Sequence, residues 1–150
     1  MAGYVITLND GVVSYAAKKL KVVAASSCEA EYAAATMCAH DLTFIRNVCE
    51  DLGMTIEGAI PLFVDNSACV TICKDVGVSS KNKHFERAIH YVREQSQDQR
   101  IDIKFVPTDE QQADIMTKPL PPTAFARCQQ YLLKGKATAF ILFKRKHAGG

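Results

Sequence analysis

The feature that most constrains the fold of this chain is a long stretch with the period of an amphipathic helix, from residue 28 to residue 52. Its apolar residues recur at intervals of three and four, at Tyr32, Ala35, Ala39, Leu42, Ile45, Val48, Cys49 and Leu52. Ser26 and Ser27 can cap the start of this helix, and Gly53 can end it. A helix with a single apolar face buries that face against another element. We therefore expect this helix to pack on a sheet.

Several short segments have the composition of strands. Residues 4–8 and 12–15 are rich in β-forming side chains and flank Asn9-Asp10-Gly11, a sequence suited to a tight hairpin turn. Residues 60–64 form a short apolar run, and residues 101–106 alternate between apolar and polar side chains. The sequence therefore predicts an antiparallel hairpin and two further strands.

The remaining segments favour helices and complete the fold prediction. Helices are expected at residues 67–74, 84–97 and 124–133, and Thr108 is expected to cap a helix that runs through Met116. Strands that alternate with helices in this order indicate an α/β domain, with a mixed sheet flanked by helices. A chain of 150 residues fits one such domain.

Composition narrows the class of protein. The net charge of +2 gives no global sign of nucleic-acid binding, so any such binding has to come from local patches. The sequence lacks an apolar run of about 20 residues and a secretory signal, so we expect an intracellular protein, cytoplasmic or nuclear, with no membrane association. The six cysteines contain no CxxC pair, so we expect free and mostly buried thiols.

Three acidic residues stand at positions where chemistry is plausible. Asp65 follows the strand at residues 60–64, and open α/β sheets bind ligands at the carboxyl ends of their strands. Glu31 lies in the first turns of the long helix, and Asp114 lies in a later helical segment. Two divalent cations about 4 Å apart, held by several carboxylates, can hydrolyse a phosphodiester. Structural explanations stand beside this one, because Asp65 could cap a helix and the other two could be solvated helix residues.

Other polar groups allow weaker alternatives. His84, His90, Cys69 and Cys73 could be drawn as a zinc site, but their spacing matches no recognised ligand pattern. Basic residues could contact phosphates, although such clusters are more often solvated surface; they are Lys18, Lys19, Lys21, Lys81, Lys83, Arg87 and Arg93.

Five blocks of sequence occur in an order that identifies a family. They are residues 13–19, 25–34, 62–68, 83–94 and 106–120, which read VSYAAKK, ASSCEAEYAA, LFVDNSA, KHFERAIHYVRE and VPTDEQQADIMTKPL. Together they resemble the ribonuclease H domain of copia-type retrotransposon Pol polyproteins. The resemblance extends from residue 3 to about residue 134.

The resemblance implies a ribonuclease H-like fold with a five-stranded mixed sheet. It also implies a Mg²⁺ (or Mn²⁺) site that cuts the RNA strand of an RNA/DNA hybrid. By motif, Glu31 matches the family's helix glutamate, Asp65 its strand-end aspartate and Asp114 its last aspartate. Glu29 precedes Glu31 by two residues, about 200° around the helix, so we expect Glu29 to point away from this site.

One departure from the family concerns the first strand. The family's domain opens with a central strand whose aspartate bridges both metals, and this sequence begins where the family's second strand begins. Asp10 cannot replace that aspartate, because its context places it at a hairpin tip. We therefore expect residues 1–134 to form a ribonuclease H-like domain that lacks its first strand, followed by a divergent tail at residues 135–150.

The tail itself suggests how this gap is filled. Residues 137–143 are β-prone and apolar on both faces, which is typical of a strand buried within a sheet. We predict that this segment lies between the strand at residues 4–8 and the strand at residues 60–64. We expect the isolated chain to cleave hybrids poorly or not at all. The alternative is a non-enzymatic domain recruited to bind nucleic acid or protein.

Overall fold

A computed structural model describes residues 1–8, 11–19, 27–74, 83–134 and 140–143, with the backbone alone at residues 27–30, 83–85, 134 and 140–143. In chain order the elements are β1 (Ala2–Leu8), β2 (Gly11–Lys18), α1 (Ser27–Asp51), β3 (Ile60–Val64), α2 (Ser67–Lys74), α3 (Lys83–Gln97), β4 (Ile101–Phe105), the 3-10 turns η1 (Thr108–Glu110) and η2 (Gln112–Met116), α4 (Pro122–Lys134) and β5 (Phe140–Phe143). The fold is a mixed α/β fold, consistent with the ribonuclease H-like architecture that the sequence predicts.

The five strands form one sheet in the order β2-β1-β5-β3-β4. β1 is antiparallel to both β2 and β5, whereas β3 is parallel to both β4 and β5. The strand from the end of the chain therefore lies in the middle of the sheet, between β1 and β3. This confirms the predicted position of the tail strand, of which residues 137–139 lie outside the described part.

The helices α1, α2 and α3 pack on one face of the sheet, and the larger part of the hydrophobic core lies between them and the sheet. Alternate residues of β1, Tyr4 and Ile6, point into this core, which also contains Tyr32 and Leu42 of α1 and the inward residues of β3 and β4. Val5 points to the other face, where it packs with residues of η2 and α4, including Ala113. The α1 helix thus buries most of its predicted apolar stripe, from Tyr32 to Leu42 and at Cys49. The prediction is wrong for Val48 and Leu52, which are 38% and 73% exposed near the end of the helix.

Local sequence accounts for the ends of α1 and α4. Gly53 has a φ of 76°, which most residues avoid, and the backbone N–H of Met54 donates to Cys49 O (2.9 Å). Together with the bond from Gly53 N to Glu50 O (3.0 Å), these contacts close α1 with a Schellman motif. The α4 helix begins at Pro122, because a proline in the first helical position loses no hydrogen bond.

The predicted helix from Thr108 to Met116 is wrong. Two 3-10 turns replace it, separated by Gln111, whose ψ of 110° is extended. Pro107, rather than the predicted Thr108, occupies the N-cap position of the first turn, and the Thr108 hydroxyl donates to Asp65. The Gln111 side chain accepts from Ala113 N (3.4 Å) and so starts a second turn. A side-chain bond to the backbone at Gln111 and a side-chain bond from Thr108 to Asp65 thus accompany the break in the predicted helix.

Some of the other sequence predictions concern residues that the structure describes, and some concern residues outside the described ranges. The five described cysteines, which exclude Cys28, are free and buried. Asp10 with its hairpin turn and the proposed cap Ser26 lie outside the described residues, and so does the side chain of Glu29. In the described part of the chain, no helix combines the length and apolar character needed to cross a membrane.

A polar contact ties the β1–β2 hairpin to α1. The Tyr4 hydroxyl donates to Asp41 Oδ2, and Ser14 Oγ donates to the same oxygen (3.3 Å). Burial and the hydrogen bond to Asp41 raise the pKa of Tyr4 to about 12. The protonated phenol is therefore favoured in the folded chain.

Replacing Tyr4 with phenylalanine is expected to lower the free energy of unfolding by about 1–3 kcal/mol at neutral pH, because Asp41 loses a donor. The loss should shrink in alkali. An unfolded tyrosine deprotonates near pH 10, so the stabilisation by Tyr4 is complete below that pH and is lost as the pH rises toward about 12. Urea titrations of both proteins across this range test the prediction, which a pH-independent difference would contradict.

Candidate functional site

The first candidate residue, Asp65, lies at the carboxyl end of β3. Its Oδ2 accepts a hydrogen bond from Thr108 Oγ1 (3.3 Å), which brings the η1 turn to this end of the sheet. The backbone bond from Val106 N to Val64 O (3.0 Å) holds the same segment in place. Asp65 thus lies where α/β sheets present ligand-binding residues.

Asn66, rather than Asp65, caps the helix that follows. Its Oδ1 accepts from the backbone N–H of Cys69 (3.0 Å), the third residue of α2, as an N-cap side chain does. The capping explanation for Asp65 is therefore unnecessary. Its side chain is directed to Thr108 instead.

Asn66 also reaches the second candidate residue. The Asn66 amide Nδ2 donates to Glu31 Oε2, which joins the first turns of α1 to the strand end that carries Asp65. Glu31 and Asp65 therefore lie at the same end of the sheet. Sequence reasoning did not single out Asn66, although an asparagine directly before a short helix is a strong capping signal.

The third candidate residue, Asp114, lies in η2 and is buried, with 5% of its surface exposed. Its Oδ2 forms an ion pair with Lys118 Nζ, four residues later. Its Oδ1 is buried without a hydrogen-bond partner in the described part of the chain. Nearby, Cys128 Sγ lies 3.9 Å from Gln111 O, and burial raises the pKa of this thiol.

The pairing of the strands shows where η2 lies relative to Asp65. Gly3 of β1 is paired with position 142 of β5, and Phe63 of β3 is paired with position 140. Continuing the second register by two residues places position 142 level with Asp65. A Cβ atom at Gly3 would lie 2.8 Å from Thr117 Cγ2, so the segment after Asp114 packs closely on this row of the sheet. Only glycine fits at position 3 without displacing that segment.

These residues do not form a preassembled metal site. Each carboxylate is engaged with a protein group: Glu31 with Asn66, Asp65 with Thr108 and Asp114 with Lys118. Over the described ranges, no group of three or more His, Cys, Asp or Glu side chains is placed so that it could hold a metal ion. As they lie, the donors do not fit two shared cations. The ligand roles of Glu31, Asp65 and Asp114 stay predictions.

The residues proposed for a zinc site and for phosphate contacts lie in other parts of the structure. Cys69 and Cys73 are buried in the main core, whereas His90 is exposed and the side chain of His84 lies outside the described residues. Arg93 donates to Ile72 O (2.9 Å), so it braces α2 against α3. Lys18, Lys19 and Arg87 are exposed. The other basic candidates, Lys21, Lys81 and the side chain of Lys83, lie outside the described part.

Sequence comparison provides relatives for most of the chain. It is 28% identical over 128 residues to the retrovirus-related Pol polyprotein from transposon TNT 1-94 of Nicotiana tabacum, which covers 85% of this chain and 10% of that protein. It is 32% identical over 123 residues to the corresponding polyproteins from transposons RE1 and RE2 of Arabidopsis thaliana, covering 82% of this chain and 8% of each.

The chain spans about a tenth of the length of these relatives or less. No protein-family model and no solved structure matches it. The matches to the three polyproteins show that, over most of its length, the chain is homologous to a segment of the retrovirus-related Pol polyproteins of plant transposons.

Proposed function

We propose that this chain is a ribonuclease H-like domain of retrotransposon origin that binds RNA/DNA hybrids but hydrolyses them poorly or not at all by itself. The observation that carries this proposal is the identity of the central strand. β5 has the sequence Phe140-Ile141-Leu142-Phe143, so it brings no carboxylate to the row that contains Asp65. The family's central strand supplies a metal-bridging aspartate.

The rest of the tail cannot compensate. Residues 137–150 contain no carboxylate side chain, and the charges of Lys144, Arg145 and Lys146 repel metal cations. The other ionisable side chain there, that of His147, supplies no bridging carboxylate. A bridging carboxylate sets the distance between two metals and so aligns the attacking water. Glu31, Asp65 and Asp114, the residues matched to the family's ligands, would supply only part of the set that such a site requires.

A hybrid-cleavage assay in Mg²⁺ and in Mn²⁺ tests the proposal. We expect the chain to cleave no faster than its Asp65→Asn variant, because the incomplete site contributes no hydrolysis for that variant to remove. Addition of an Asp-bearing strand before residue 1, in a chain that ends at residue 134 and so lacks the competing β5, provides the comparison for restored activity. Robust cleavage by the unextended chain that Asp65→Asn abolishes would overturn the proposal.

A second candidate function is protein binding without catalysis. Phe44, Val48 and Leu52 follow one another at four-residue intervals on α1, with 67%, 38% and 73% of their surfaces exposed. An exposed apolar ridge of this kind is typical of interaction surfaces. Fluorescence anisotropy with a labelled RNA/DNA hybrid separates the candidates: hybrid binding predicts a saturable, salt-dependent increase, whereas pure protein binding predicts none.

A further inference from the structure

Asp114 of η2 forms an ion pair with Lys118 that is largely buried. The Asp114 side chain is 7% exposed and that of its partner Lys118 is 29% exposed. A buried carboxylate needs a compensating charge, because transferring it from water without one is strongly unfavourable. Lys118, which lies two residues beyond the end of η2, supplies that charge.

The backbone fixes the lysine beside the carboxylate. The N–H groups of Thr117 and Lys118 both donate to Asp114 O, at 3.1 and 3.2 Å. The Thr117 hydroxyl donates to the same oxygen (3.3 Å). These bonds close the end of η2 and keep the backbone of Lys118 next to Asp114, within reach of the ion pair.

The ion pair engages only one of the two carboxylate oxygens of Asp114. Oδ1 is buried and accepts no hydrogen bond from the described residues. Buried acceptors are usually satisfied by a donor, a water molecule or a cation. Asp114 therefore combines a negative charge, a cationic partner and an unused acceptor at the segment that packs on the row of Asp65.

We propose that Lys118 is a tethered cation that takes the place of a divalent metal at Asp114 and so weakens metal binding by this chain. The inference rests on the proposed function, since it concerns the same carboxylates. A divalent ion at Oδ2 would have to displace the ammonium group or lie beside it, and like charges at such distances repel strongly away from bulk water. Lys118 thus acts on metal binding through Asp114, with no contact to substrate implied.

Mn²⁺ binding by the full chain, followed by electron paramagnetic resonance of the free ion, tests this proposal. Lys118→Met is expected to bind Mn²⁺ about tenfold more tightly than the wild type, or better, because it removes the competing charge. Lys118→Arg keeps the charge and is expected to resemble the wild type. The gain should disappear in the double variant Lys118→Met with Asp114→Asn.

Lys104→Met is the matched control, because Lys104 also pairs with an aspartate, Asp102, at 3.1 Å on the edge strand β4. We expect no change in Mn²⁺ affinity there. Where Lys118→Met does not fold, Lys118→Gln gives the same comparison, since its amide can donate to Asp114 without a charge. A midpoint of thermal unfolding that rises more steeply with Mn²⁺ in these variants than in the wild type supports the proposal.

Unchanged affinity in Lys118→Met or Lys118→Gln would overturn the inference. So would a gain that survives Asp114→Asn, or an equal gain in Lys104→Met. These readouts do not depend on cleavage. Hybrid hydrolysis by the wild type would defeat the proposed function alone, whereas an unchanged Mn²⁺ affinity would defeat the inference alone.

Discussion

Deletion of residues 135–150 is expected to abolish cooperative folding of the chain. The deletion removes β5, which is paired with β1 over four residues and also bonded to β3. Without it, the β1–β2 hairpin and the β3–β4 pair have no strand between them, and their inner edges lose backbone partners. Each buried backbone group left unpaired costs about 1–3 kcal/mol, so a few of them offset the whole stability of a typical domain, about 5–15 kcal/mol.

The matched control is deletion of residues 144–150, which leaves β5 in place. We expect this shorter deletion to unfold in urea with the steep transition of the intact chain, and the longer deletion to show no transition. Ile141→Pro tests the backbone alone, because proline in a central strand removes a ladder hydrogen bond. A chain ending at residue 134 that unfolds cooperatively at the wild-type midpoint would show that β5 is dispensable.

Much of the fold could be predicted from local sequence. The period of α1 and the apolar run of β3 match the observed Ser27–Asp51 and Ile60–Val64 closely, since each element buries one face or both. The apolar pattern of the tail predicted a buried strand, and the gap implied by the family resemblance predicted its position between β1 and β3. In these cases local pattern and tertiary environment agree.

The errors arose where tertiary contacts override local preference. Thr108 has the sequence context of a helix cap, but the structure places its hydroxyl on Asp65, which is 43 residues away in sequence. Likewise, a carboxylate and a lysine four residues apart are ordinary on an exposed helix. Only the burial of Asp114 makes its pairing with Lys118 consequential. Sequence spacing does not report such burial.

A substitution at position 142 of β5 tests whether a carboxylate in the central strand would let this domain bind metal. The partner of position 142, Gly3, has its Cβ direction toward Thr117, and directly paired residues of antiparallel strands share a face. Position 142 therefore belongs to the row of Gly3, on which η2 packs, and the register of β5 with β3, continued by two residues, places it level with Asp65. This substitution leaves β5 in the sheet, whereas a strand added before residue 1 has to compete with β5 for the same position.

We expect Leu142→Asp to unfold at a lower temperature than the wild type without metal, because it adds a negative charge in the centre of the sheet near Asp65. Mn²⁺ should reverse this loss. A ligand that binds only the folded chain stabilises it by about 2.7 kcal/mol at a hundred times its Kd. The variant should also gain Mn²⁺-dependent hybrid cleavage that Asp65→Asn removes, because the added carboxylate can align two cations.

Ile141→Asp is the control for this substitution, since the same charge enters the same strand one residue earlier. Position 141 is paired with Tyr4, whose side chain lies in the core, so it belongs to the row that alternates with that of Gly3 and position 142. We expect Ile141→Asp to destabilise the chain without any rescue by Mn²⁺. Thermal unfolding with and without Mn²⁺ compares the two variants. If both respond to the metal equally, or neither does, position 142 is not part of a metal site, and the lack of a carboxylate in β5 does not explain poor cleavage.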